Sequence, residues 1–214
     1  MAEPILRAEN VSKHFGGLRA VDGVSVSVAP GSLHSVIGPN GAGKTTFFNL
    51  LSGVLRPDSG RIFFKGRDIT RLPLYRIAHL GIGRSFQITN LFPRLTVLEN
   101  VRLAAQARGA DSFRILNHFT AFPTYIERAE RSIATVGLSG KEYIPANVLA
   151  HGDKRKLELA ILLAPDPEML LLDEPTAGMA SEQVSELLEI VQGIRRNAGK
   201  TIMLVEHNMN VVMN

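Results

Sequence analysis

Residues 38–46 read Gly38-Pro39-Asn40-Gly41-Ala42-Gly43-Lys44-Thr45-Thr46, between a β-branched stretch, Leu33 to Ile37, and the apolar stretch Phe47 to Leu55. Glycine at 38, 41 and 43 lets the backbone curl until successive N–H groups converge on one anion. A helix that follows turns the positive end of its dipole toward the same point. The pattern G-x-x-x-x-G-K-[ST] in strand, loop, helix order is that of a phosphate-binding loop. Lys44 can then reach the β- and γ-phosphates of a nucleoside triphosphate, and the Thr45 hydroxyl can ligate Mg²⁺. The competing reading is a glycine-rich turn that matches by chance, and the strand-loop-helix context argues against it.

A second half for such a site lies far along the chain. Met169-Leu170-Leu171-Leu172-Asp173-Glu174-Pro175 is an apolar strand ending in two carboxylates, and open parallel sheets take their ligands at the carboxyl ends of strands. Asp173 suits Mg²⁺, usually through water, and Glu174 suits the orientation or deprotonation of an attacking water. Taken alone, two acids at a strand end are more simply a solvated boundary; coupled to the phosphate loop, they become the second half of a site. His207, in Val205-Glu206-His207-Asn208, emerges from the next buried strand, Thr201 to Val205, and can hydrogen-bond a γ-phosphate oxygen. Gln87, in Arg84-Ser85-Phe86-Gln87, is a neutral amide able to contact Mg²⁺ or its water. In isolation, His207 and Gln87 would read as ordinary loop residues.

The remaining segments set the architecture. Short β-branched runs, Ile5 to Val11, Leu18 to Val21, Val24 to Val28 and Arg61 to Lys65, predict strands of an antiparallel lobe. The strand Met169 to Leu172, a helix bearing Val184, Leu187, Leu188, Val191 and Ile194, and the strand Thr201 to Val205 predict a parallel β-α-β unit. Residues 95–164 carry helical periodicity, as at Leu157, Ala160, Ile161 and Ala164. The expectation is an α/β fold of one domain, residues 1–214, with a β lobe and core over 1–94 and 165–214 and an inserted helical lobe over 95–164.

Composition narrows the class further. Apolar residues at 45 % and charged residues at 21 % are globular values that exclude disorder and fibre. The absence of cysteine excludes disulfides, thiolate metal sites and cysteine nucleophiles. Apolar runs such as Leu159 to Ala164 are too short to span a bilayer, and MAEPILRAEN lacks the features of a signal peptide. A net charge of +4 is too small to demand a nucleic-acid partner, and none is expected.

Five motifs in order now carry a family resemblance: GPNGAGKTT at 38–46, SFQ at 85–87 with LFPRLTVLEN downstream, LAHGDKRKLELA at 149–160, LLLDEPTAGM at 170–179 and VEHN at 205–208. With them the chain resembles the nucleotide-binding subunit of an ATP-binding cassette transporter, over nearly its whole length. The resemblance implies a RecA-like phosphate-loop core, an antiparallel β lobe and a helical lobe. It also implies two subunits sandwiching two ATP molecules and Mg²⁺, the signature segment of each facing the phosphate loop of the other. Leu149-Ala150-His151-Gly152-Asp153 occupies that segment, usually Leu-Ser-Gly-Gly-Gln; Ala150 lacks the serine hydroxyl, so the γ-phosphate contact falls to backbone N–H groups near Gly152 and to the N-terminus of the helix that follows. Ala180 stands where the family has an aspartate, and Phe15 where it has an adenine-stacking aromatic, the alternative for Phe15 being a core strand residue. Because the family usually adds one or two strands and a helix after the histidine, the chain is expected to lack the usual C-terminal end.

The form of LAHGD, PTAGM and VEHNM resembles the ATP-binding subunits of branched-chain amino-acid uptake systems, with urea or short-chain amide uptake as the near alternative. The implied partners are a second nucleotide-binding subunit, copy or paralogue, two transmembrane permease subunits and, indirectly, an external solute-binding protein. The implied location is cytoplasmic, on the inner face of the cell membrane. A soluble nucleotide-gated interaction protein is the competing class. Such proteins usually carry two cassettes or a long coiled-coil insertion, and this sequence has neither. A third reading, a cassette that binds ATP but barely turns over because of Ala150 and Ala180, is opposed by the intact Glu174 and His207.

Overall fold

The computed structural model describes residues 3–85, 91–107, 109 and 123–206. The chain divides into two compact units, the first comprising Met1–Arg84, Glu168–Pro175 and Arg195–Asn214. Its elements in chain order are β1 (Leu6–Phe15), β2 (Leu18–Val28), β3 (Leu33–Val36), α1 (Lys44–Leu51), β4 (Ser59–Phe64), β5 (Arg67–Asp68), α2 (Leu74–Leu80), β6 (Ile82–Arg84), β7 (Met169–Asp173) and β8 (Thr201–Val205). They form an antiparallel sheet of order β2-β1-β4-β5 and a parallel sheet of order β3-β8-β7-β6. Alternation along β1 buries Leu6 and Ala8 while Arg7 and Glu9 face outward, as a sheet with one covered face requires. One apolar core joins both sheets and α1 through Leu6, Phe48, Phe64, Leu171 and Val205.

The Asp22-Gly23 pair predicts a break between two strands, yet β2 runs unbroken from Leu18 to Val28. Val11 on β1 pairs with Val24 and Lys13 with Val21, so three steps on β2 oppose two on β1, the signature of a bulge. Gly23 supplies the left-handed conformation there, at φ 61°, and donates its N–H to Ser12 Oγ at 2.9 Å. A turn-forming dipeptide is thus absorbed into the ladder. The helix after the phosphate loop is also displaced from Phe47–Leu55: it starts at Lys44 and ends at Leu51.

The parallel sheet sets the geometry of the site. Val36 pairs with Val205, Val205 with Asp173, and Arg84 with Leu171, so the carboxyl ends of all four strands lie side by side. β7 and β8 are buried along their whole length, as expected of inner parallel strands, and account for the continuous apolar runs in the sequence.

The second unit comprises Ser85–Pro167 and Thr176–Ile194. It contains α3 (Val97–Gln106), α4 (Pro123–Thr135), a 3₁₀ turn at Ala146–Val148, α5 (His151–Leu163) and the start of α6 (Ser181–Ala198). Packing of α3, α4 and α5 against one another buries Val101, Ala105, Ala129, Ile133, Leu157 and Ala160. Thr96 and Glu99 form a capping box at the start of α3, which satisfies two of its free N–H groups. One turn on, the buried Asn100 accepts from Phe92 N at 2.8 Å and donates to the carbonyls of Phe92, Leu95 and Thr96 at 3.1, 3.3 and 2.9 Å. That single side chain shapes the loop 92–96. Asn100→Ala removes all four of these bonds and leaves Phe92 N without its side-chain acceptor, and should cost about 2 kcal/mol, read as a lowered urea midpoint at unchanged slope. A loss below about 1 kcal/mol would show that the loop finds other partners.

Candidate functional site

Gly41 and Gly43 take φ of 82° and 85°, and Ala42 N bonds Pro39 O at 3.2 Å to close the turn. At Gly43 the need for glycine is twofold. Besides its φ, a Cβ there would lie 2.0 Å from the Ala20 carbonyl oxygen of β2, so the loop is pressed against the antiparallel sheet. Helix α1 then begins at Lys44 with no acidic residue in its first turn and no side-chain cap, leaving its N–H groups for an anion. Lys44 is 8 % exposed, and its ammonium donates to Gly38 O at 2.7 Å and Pro39 O at 2.9 Å, across the mouth of the loop. Asn40 is exposed and Thr46 half-buried on this same loop and helix.

Across from the loop, Asp173 ends β7 and is 4 % exposed. Its carboxylate receives a hydrogen bond from the Thr45 hydroxyl, so the two residues selected from sequence as metal ligands meet. Burial holds the Asp173 carboxyl above the usual carboxylate range; Arg84 opposes this, the neighbouring Glu174 adds to it, and the Thr45 bond opposes it. Arg84, in turn, is held below its ordinary value by burial, with Asp173 acting against that. Glu174 adopts φ 49° and donates its N–H to Val205 O at 3.1 Å. Non-glycine residues in that region are uncommon and cluster at functional sites.

Phe15 closes β1 and is 47 % exposed, with Lys13 Nζ 5.7 Å from its ring centroid. Exposure removes the alternative that it is a core residue. Ala150 and Gly152 belong to the second unit, at the N-terminus of α5: Ala150 is the N-cap and makes no side-chain cap bond. Gly152 is buried, with the Gln183 amide so close that a Cβ would come within 3.1 Å of it. Arg155, on the same helix, donates to Ala177 O at 3.3 Å, tying the PTAGM segment to α5. Gln87 and His207 lie outside the described residues.

A family model described as ABC transporter matches residues 21–177, which include the phosphate loop, the signature segment and both acids. The chain belongs to the ABC transporter family. Its members include the high-affinity branched-chain amino acid transport ATP-binding protein LivG of Salmonella typhimurium, 38 % identical over 100 % of this chain and 86 % of that protein. LivG of Escherichia coli K12 is 36 % identical with the same coverages, and BraF of Pseudomonas aeruginosa is 37 % identical, also over 100 % and 86 %. Among solved structures, a nucleotide-free ATP-binding cassette from an ABC transporter superposes with a TM-score of 0.86 at 33 % identity, covering 99 % of this chain and 84 % of that one. A dimeric bacterial ABC transporter cassette superposes at 0.81 with 26 % identity, covering 97 % and 90 %. This cassette is therefore an ATP-binding ATPase subunit of the transporter type.

Local sequence signals do not reveal Arg84 or Gln183, because each is defined by partners distant along the chain, nor Asn100, whose role depends on how the loop 92–96 folds back on it. In the cassette, Gly43→Ala should destabilise by about 3 kcal/mol and abolish binding of a fluorescent ATP analogue. Gly17→Ala, where a Cβ meets open space, should leave both unchanged. Equal behaviour of the two variants would contradict the contact with β2. Ala150→Ser supplies the missing N-cap of α5 and should raise stability by about 1 kcal/mol in urea unfolding; a fall would mean that the hydroxyl finds no partner on that helix.

Proposed function

We propose that this cassette binds Mg-ATP and hydrolyses it to drive uptake of branched-chain amino acids through a membrane-embedded transporter. The meeting of Thr45 and Asp173 beside the phosphate loop carries the catalytic reading. A hydroxyl and a carboxylate are hard oxygen donors, the set that Mg²⁺ takes alongside phosphate oxygens. Thr45 and Asp173 would hold the ion, which neutralises charge on the phosphate oxygens when bound.

The loop's N–H groups and the start of α1 bind the phosphates, and Lys44 exchanges its two carbonyl partners for the β- and γ-phosphate oxygens. Glu174, one residue beyond Asp173, orients the attacking water and takes its proton. His207 holds a γ-phosphate oxygen, and Gln87 contacts the metal or its water. Phe15 stacks on the adenine, its exposed ring making a π-face available. Ala150 and Gly152 present the N-terminus of α5 to the ATP of a second subunit.

The substrate reading follows from relatives named for branched-chain amino acid transport, and the pairing of subunits from the dimeric cassette that this fold resembles. Among the described residues no helix is long and apolar enough to cross a membrane, so translocation falls to two permease subunits. We place the cassette on the cytoplasmic face of the membrane, with an external binding protein delivering solute to the permeases.

Glu174→Gln should trap the ATP-bound closed state. Light scattering of the purified variant should give a doubled mass with ATP and Mg²⁺ and a monomer mass with either alone. A monomer that retains ATP under all conditions would defeat the composite-site reading for two copies of this chain.

A further inference from the structure

Arg84, at the carboxyl end of β6, has no role in the scheme above. Its Nη1 donates to Asn49 Oδ1 at 2.6 Å and to Ser52 Oγ at 2.7 Å, while Nη2 lies 3.5 Å from Asp173 Oδ2. The side chains of Arg84 and Asp173 are 5 % and 1 % exposed, so the ion pair is sealed from solvent. Nη1 carries two hydrogens, and both are used on α1 and its C-cap, which fixes the plane of the guanidinium. Ser52 gives its own hydroxyl hydrogen to Phe48 O at 2.8 Å, which turns an oxygen lone pair toward Arg84. The helix that carries the phosphate loop thus aims a cation at the carboxylate at the end of β7.

A buried ion pair is weak evidence for stability, since apolar residues of similar volume often serve as well. The arrangement does accomplish something an apolar pair cannot: it holds Asp173 Oδ2 with a fixed cation while the Thr45 hydroxyl acts on the same carboxylate. We propose that Arg84 is a positioning residue for the divalent cation, orienting Asp173 through a guanidinium that α1 locks in place. This rests on the reading of Asp173 as a metal-holding residue. Lysine is no substitute: a single ammonium keeps the charge but lacks the planar fork that divides its donors between α1 and Asp173. Residues behind metal ligands commonly govern affinity in this way.

The test uses the full chain with ADP, which is not turned over, and Mn²⁺ as the probe, its free concentration followed by electron paramagnetic resonance. Four proteins are compared: wild type, Asp173→Asn, Arg84→Lys and Arg84→Gln. ADP affinity in EDTA serves as the control for an intact fold and phosphate loop. Arg84→Lys and Arg84→Gln should each weaken Mn²⁺ binding to the ADP complex about tenfold while ADP affinity in EDTA holds. Asp173→Asn should weaken Mn²⁺ binding at least as much. If Asp173→Asn weakens Mn²⁺ and Arg84→Lys leaves it at the wild-type value, the positioning role is wrong while the metal reading stands. If Asp173→Asn has no effect on Mn²⁺, the metal reading itself fails, and the role of Arg84 with it. Should Arg84→Gln lose ADP binding in EDTA, Arg84→Lys decides alone; loss of ADP binding in that variant too would assign Arg84 to the fold and overturn the proposal.

Discussion

Everything at the candidate site depends on the in-register parallel pairing of β3, β8 and β7. Val36, Val205 and Asp173 stand abreast, so the loop leaving β3 and the acids leaving β7 start from one edge although well over a hundred residues separate them in sequence. The pairing requires β7 and β8 to be buried on both faces, which only continuous apolar segments tolerate. Burial then has an electrostatic consequence. A carboxylate at the end of such a strand is desolvated, which disfavours its charged form, and Arg84 and Thr45 act against that burial. Hydrophobic packing and the polar network of the site are thus two sides of one constraint.

What could be read from sequence was whatever is encoded locally. The phosphate loop is a contiguous pattern whose glycines, lysine and threonine each have a separate physical reason, and its strand-loop-helix setting is found as expected. The apolar strand ending in Asp173 and Glu174 was legible for the same reason, as was the helical character of the segments α3 to α5. The bulge at Gly23 was not, because Asp-Gly signals a turn until Ser12 on the neighbouring strand accepts the glycine N–H. Which of the two occurs depends on a partner eleven residues away, beyond the reach of a dipeptide rule.

Arg84 and Asn100 show the same limit from the side-chain end. Each occupies an ordinary position in a strand or helix, and each becomes informative only once its acceptors are known, on another element for Arg84 and in the folded-back loop before α3 for Asn100. Ala150 illustrates the reverse. Its departure from the family's serine was visible at once, yet what it does physically, leaving α5 without a side-chain cap, required the helix boundary. Motifs identify the chemistry of a site; the groups that hold the motifs in place are dispersed and belong to the tertiary structure.

The close approach of Gly43 to the Ala20 carbonyl separates two kinds of constraint that a sequence signature merges. Among the described residues the Lys44 ammonium bonds only loop carbonyls, which the proposed phosphates would replace, and a lineage that ceased to use nucleotide could let it drift. Gly43 is held by the antiparallel sheet as well, so the same lineage would keep it for as long as it kept the fold. In a degenerate descendant of this cassette, a surviving glycine would therefore record the wall behind the loop, and only the lysine would record whether the loop is still in service.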